Sequence, residues 1–232
     1  MNNLRGNEEA LATLSLARRI ANYASTLGVI GMPPMPRPHA YHLGAVMADS
    51  ILQAGVNYRT VVYPRVAAIL ESYPETRYFD GVQKVISSGR LTEFLRWKHS
   101  TKLSRFYSLA RFFGNQRIHD IDDLRVQMLC SNFREELLKL RGVGPKTIDY
   151  MSCLVGIDNI AVDRHIRSFA RESGVEINDY ENLRTIFSYA ADLLKIPRRD
   201  FDSWIWKRSQ DIRKHRNNCR CQFGMSRNCS VI

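Results

Sequence analysis

Apolar residues return at intervals of three and four along almost the whole chain, and nowhere does a sustained apolar-polar alternation of the kind a half-buried strand requires replace them. From Glu8 to Leu27 the apolar positions Leu11, Leu14, Ala17 and Ala21 share one predicted helical face. The segment "GMPPMPRPH", with four prolines, then interrupts the pattern and reads as a linker or a rigid crossing. From Tyr41 onward, short polar or glycine breaks separate "HLGAVMADSILQAG", "VVYPRVAAILESY", "FDGVQKVISSG", "LTEFLRW", "STKLSRFYSLARFFG", "DIDDLRVQMLCS" and "NFREELLKL". After a glycine turn come "PKTIDYMSCLVGI", "RHIRSFARESG", "YENLRTIFSYAADLL" and "FDSWIWKRSQDIRKH". The expected class is all-α, without a solenoid repeat. Aromatics and methionines within these helices, such as Phe106, Phe112 and Met151, are assigned to the core.

Composition narrows the partner. The 232 residues, 44% hydrophobic, suffice for one large domain or two small ones. There are 34 Lys+Arg against 23 Asp+Glu, a formal charge of +11, and the sequence pI is near 9.7. A polyanion is the partner such a balance favours, nucleic acid first, although an anionic membrane or a ribosomal surface also suits it. No run of about 18 apolar residues and no leader pattern is seen, so the expectation is a soluble, intracellular protein that neither spans nor enters a membrane. Five cysteines do not form a secreted disulfide framework: Cys130 and Cys153 fall within helical patterns, and Cys219, Cys221 and Cys229 crowd the tail. Reduced thiols are expected. The absence of a coiled-coil heptad makes a monomer the expected state.

One stretch carries chemistry. In "LRGVGPKTIDY", a Gly-Val-Gly turn is followed by Pro145, a favoured first residue of a helix, and then by Lys146. The first amides of that helix have no intrahelical acceptor, and with the helix dipole they suit a phosphate. Glycines allow a nucleic-acid backbone to approach, and contact through amides reads no base identity. The same turn equally suits an ordinary connection between packed helices. Lys146, at the positive end of a helix and near Arg141, should have its ammonium form disfavoured, which makes its amine a nucleophile; a lysine that meets phosphate as a point charge fits as well. Seventeen residues on, Asp163 follows Ile160, Ala161 and Val162 and precedes a helix, where it is placed to act as an N-cap. One helix and a short return loop would bring its carboxylate back toward the lysine.

"LRGVGPKT" followed by "IAVDRHI" at this spacing resembles the signature of the helix-hairpin-helix-GPD superfamily of DNA glycosylases, especially its endonuclease III-like members. "SILQAGVNYRT" and "STKLSRFYSLARFF" resemble the helices that precede the hairpin there, and the likeness spans roughly residues 43–174. It implies two helical lobes: a central bundle of residues 42–157 with the hairpin at about 130–157, and a lobe made of residues 1–41 and 158–232. A flipped nucleotide would lie in the cleft between them. The resemblance further implies base-excision repair on duplex DNA carrying a damaged base or an abasic site. Lys146 would attack C1′ and nick the strand through a Schiff base, with Asp163 stabilising charge and relaying protons. Gln53 would fill the vacated stack, and read by itself it equally suits a polar helix-end residue. Asn57, Arg59, Lys102, Arg141, Gly142, Val143, Gly144 and Thr147 are the candidate DNA contacts, and Tyr58 suits either such a contact or an inward-packed place. Asp149 is a candidate partner of Lys146 or a solvated or hairpin-bonding carboxylate, and His165 a packed residue.

Two alternatives stay open: a monofunctional mismatch or uracil glycosylase in which Asp163 activates water, and a non-catalytic DNA-binding module. The tail departs from the family. "HRNNCRCQFGMSRNC" holds three cysteines, too few for Cys₄ ligation of an iron-sulfur cluster, so no cofactor and no metal is expected even though His215 is near. Lys207, Arg208, Arg213, Lys214, Arg216 and Arg220 suit an extension of a phosphate-binding face or an ordinary solvated helix face, and Trp204 and Trp206 are expected to anchor the last helix.

Overall fold

The computed structural model describes the backbone of residues 2–34 and 41–222 and the side chains of residues 6–34 and 41–212. Among the described residues, twelve α-helices and two short turns of other helical type make up the secondary structure, and no strand occurs. The protein is all-α. It divides into two compact units, one formed by Met1–Pro34 with Val162–Ile232 and the other by Met35–Ala161.

The terminal unit packs α1 (Asn2–Thr26) along α11 (Tyr180–Leu194). Small and apolar residues at i, i+3, i+4 and i+7, namely Ala17, Ile20, Ala21 and Ala24, are buried on the α1 face, and Leu183, Ile186, Phe187, Ala190 and Ala191 on that of α11. The apolar face read from the sequence continues past the buried part: Leu11 is 67% exposed and Leu14 45%, because the first turns of α1 extend beyond the core. α10 (Arg164–Glu172) and α12 (Arg198–Gln222) complete the unit. Phe169 of α10 meets Phe187, Phe201 and Trp204 with ring centroids 5.9–6.3 Å apart, mostly edge to face, and so Trp204 ties α12 to the core.

The central unit is built around α2 (Leu43–Leu52), all ten residues of which are buried. His42 caps it, its Nδ1 accepting from the Ala45 amide at 3.2 Å. Around it lie α3 (Tyr63–Ser72), entered through a π-helical turn at Tyr58–Val62, α4 (Phe79–Ser87), reached by a 3₁₀ turn at Pro74–Arg77, and the short α5 (Leu91–Phe94). The long α6 (Ser100–Asn115) and α9 (Pro145–Leu154) also pack on α2. Phe94, Phe106 and Phe113 are among its largest fully buried side chains. α7 (Ile121–Met128) and α8 (Ser131–Leu138) lead into the glycine turn. Cys130, read as helical, stands instead at the N-cap of α8 and is exposed, since the chain breaks there between two short helices.

Candidate active site

α8 and α9 form the two arms of a helical hairpin across the turn at residues 139–144. A buried polar bridge locks the arms. Arg134 of α8 pairs with Asp149 of α9 at 2.7 Å and donates to Ser152 Oγ at 3.1 Å, while Asn159 donates to Asp149 at 2.8 Å. Asp149 is 1% exposed, so of the roles read for it the hairpin-bonding one describes its place and the solvated one does not.

The two glycines of the turn are there for different reasons. Gly142 has φ +85°, a conformation that disfavours a Cβ, and a Cβ built on it would lie 2.1 Å from Arg105 Nε of α6. An arginine therefore fills the space that the sequence suggested was kept open for a nucleic-acid backbone. Gly144, the N-cap of α9, has an ordinary φ of −116° and nothing within 4 Å of its Cβ position. It is the open face of the turn. The amides of Gly142 and Gly144 make no hydrogen bond among the described residues, whereas the Val143 amide is taken by Leu140 O at 3.0 Å and the Thr147 amide by Gly144 O at 2.9 Å. Val143 and Thr147 are themselves buried. Their side chains serve the hairpin; Arg141 is exposed beside it.

Lys146 occupies the first turn of α9 behind Pro145 and is half-buried. Its Nζ donates to Gln53 Oε1 and lies 5.0 Å from the centroid of the Tyr150 ring, one turn along the same helix. The ring is held from beneath by Asp49 of α2, which is fully buried and accepts from Tyr150 Oη and from Tyr58 Oη at 3.0 Å each. Burial, then the Asp49 charge, pushes the pKa of both phenols well above its usual value, so both remain donors that satisfy the buried carboxylate. Tyr58 thus points into the protein. Asp49 and Tyr150 were missed by the sequence reading; the signals for them were a lone carboxylate in an otherwise apolar helix and an aromatic four residues after the lysine.

Gln53 is the C-cap of α2. Its neighbours Leu52 and Ala54 offer their carbonyls to Lys102 Nζ, the second at 2.9 Å. Lys102, expected on the DNA surface, is 8% exposed and turned inward, because these carbonyls lie at the negative end of a helix. Burial first, and the nearby Arg105 and Arg65 guanidiniums second, push its pKa down to about 8. Of the remaining candidates in this unit, Asn57 caps the π-helical turn through Thr60 N at 3.1 Å and is exposed, as is Arg59.

Asp163 belongs to the terminal unit, where it caps α10. One carboxylate oxygen accepts from the His165 amide at 2.7 Å and the Ile166 amide at 3.1 Å, leaving its second oxygen outside these two bonds. His165 is 5% exposed and packed. Lys207 is exposed; the side chains of Arg213, Lys214, His215, Arg216, Cys219, Arg220, Cys221 and Cys229 lie outside the described residues. Among the described residues no three His, Cys, Asp or Glu side chains gather as metal ligands, and no helix is long and apolar enough to cross a membrane.

No family model and no curated protein matches the chain. Its fold is similar to that of the solved structure of H. pylori 3-methyladenine DNA glycosylase (MagIII) bound to 1,N6-ethenoadenine, with a TM-score of 0.59 and 16% identity over 86% of this chain and 97% of that one.

Proposed function

We propose that the protein is a base-excision DNA glycosylase acting on duplex DNA that carries a damaged base or an abasic site, and that Lys146 makes it a lyase as well. The observation that carries the reading is an amine in the first turn of α9, directly behind a turn whose Gly142 and Gly144 amides have no acceptor within the described residues. Those amides and the helix dipole suit a phosphate, and a phosphate seated there brings deoxyribose toward the lysine. In the reaction, the neutral amine forms a bond to C1′ while the glycosidic bond breaks and its electron pair leaves with the base. Opening of the sugar gives an imine, and loss of a C2′ proton expels the 3′ phosphate and nicks the strand. Asp163 is assigned the carboxylate role, with charge stabilisation at the sugar and proton relay to the leaving base or the amine. Exposed Arg59, Asn57 and Arg141 and the net charge of +11 supply sequence-independent affinity, and Gln53 is assigned to the vacated stack.

Borohydride reduction in the presence of lesion-containing or abasic duplex should leave a covalent complex that Lys146→Ala abolishes. Nicking by Lys146→Ala at the wild-type rate would remove the nucleophile assignment. A second reading is supported by the surroundings of Lys146, whose Nζ is held by the Gln53 oxygen over the Tyr150 ring, an arrangement that also suits a fixed point-charge contact to phosphate. In that reading Asp163 activates water and the enzyme only releases the base, on a 3-methyladenine-like or a mismatched base. Single-turnover base release measured apart from nicking, for Lys146→Ala and Asp163→Asn, separates the two. Salt-sensitive binding without product from any lesion would leave a DNA-binding module.

A further inference from the structure

Lys102 lies outside the machinery assigned above, and its surroundings single it out. Its ammonium donates to the carbonyls of Leu52 and Ala54 and sits 4.7 Å from the centroid of the Trp97 ring. Leu52 ends α2, where carbonyls have no intrahelical donor and the dipole is negative, so an ammonium is the natural cap. One residue separates the two carbonyls. That residue is Gln53, whose side-chain oxygen holds the Lys146 amine. Gln53 Nε2 is buried and has no hydrogen-bond partner among the described residues. With that end unanchored, the position of Oε1 is set by Lys146 on one side and by the backbone of residues 52–54 on the other.

We propose that Lys102 is a positioning residue for the Lys146 amine: it clamps the backbone on both sides of Gln53 and thereby fixes the oxygen that aims the amine. The charged groups around it are Arg105 on its own helix and Arg65 on α3. Arg65 shares the Trp97 ring, its Cζ lying 5.3 Å from the centroid. Both raise the cost of the charge, which the two carbonyls and the ring offset. This proposal rests on the reading of Lys146 as the nucleophile.

The test uses the full chain, with Lys102→Met, which keeps the stem and loses the donor, and Lys102→Arg, whose planar fork cannot reproduce the same grip. Single-turnover borohydride trapping on an abasic duplex should slow about tenfold in Lys102→Met at saturating DNA, while Kd stays within about threefold, since small misplacements of a reacting group act on rate. Adding Gln53→Ala to Lys102→Met should slow it by clearly less than the product of the two single effects, because both act on one contact. Multiplying effects, or a weakened Kd with a flatter salt slope and normal trapping, would instead make Lys102 a phosphate contact and overturn the proposal. Reductive methylation of Lys146 in DNA-free protein, read by mass spectrometry, gives a readout without catalysis. Its rate should change at least about twofold in Lys102→Met, or in Lys102→Arg should the former fail to fold, as the Gln53 contact loosens. An unchanged rate overturns the clamp. Wild-type protein that traps no DNA removes the nucleophile reading alone, and the methylation result still decides whether Lys102 governs the Lys146 amine.

Discussion

Replacing each turn glycine with alanine should separate a structural requirement from a binding one. At Gly142 the new Cβ would enter a backbone at φ +85° and fall 2.1 Å from Arg105 Nε, 2.5 Å from its Cζ and 2.7 Å from its Cδ. The left-handed conformation costs a non-glycine residue about 1–2 kcal/mol. Alanine recovers about 0.4–1 kcal/mol by stiffening the unfolded chain, and moving the Arg105 end group out of its packed place adds about 1 kcal/mol. The net is about 2 kcal/mol, or a fall of roughly 4–8 °C in Tm for a chain of this size. Gly144 has open space and φ −116°, so its alanine variant should lose at most about 1 kcal/mol, the usual cost of alanine at an N-cap. If a phosphate approaches this face, however, the methyl group stands in its way, and Kd for duplex DNA should weaken by about tenfold, equivalent to about 1.4 kcal/mol. Urea denaturation followed by circular dichroism gives the first quantity and fluorescence anisotropy at fixed salt the second. Equal destabilisation of the two variants, or wild-type DNA affinity in Gly144→Ala, would refute the division of roles.

Asp163→Ala removes the acceptor of the His165 and Ile166 amides and should cost about 1 kcal/mol, while Asp163→Ser should restore the cap; denaturation curves would show this, and base release should be lost in both if the carboxylate itself does the chemistry. Arg134→Ala removes the charged partner of a carboxylate that is 1% exposed, leaving it the Asn159 bond, and should destabilise by about 3 kcal/mol, whereas Lys139→Ala, which breaks an exposed pair with Glu136, should change stability by less than about 1 kcal/mol in the same assay. The lowered pKa of Lys102 means that between about pH 8 and its ordinary 10.5 the unfolded chain binds the proton more tightly than the folded one. This residue therefore makes stability rise with pH across that window, and the pH dependence of denaturation midpoints should lose that component in Lys102→Met.

The all-α class, the hairpin and the cap at Asp163 were legible because each depends on neighbours in sequence. Apolar spacing of three and four needs only one helix to express it, a glycine turn before proline is local punctuation, and Asp163 bonds amides two and three residues ahead. Residues whose partners lie far along the chain were not legible. Lys102 reads as a surface cation until α6 packs on α2 and brings it to carbonyls about 50 residues away, and the two places open to Tyr58, a DNA contact or an inward one, are separated only by its bond to Asp49. Gly142 was rightly marked as special, but the arginine that occupies its missing side chain comes from another helix. Sequence therefore determined where the turn formers, caps and titratable side chains stand along the chain. Only the tertiary structure decided which of them stay at the surface and which satisfy buried charges, since that choice depends on who fills the space opposite.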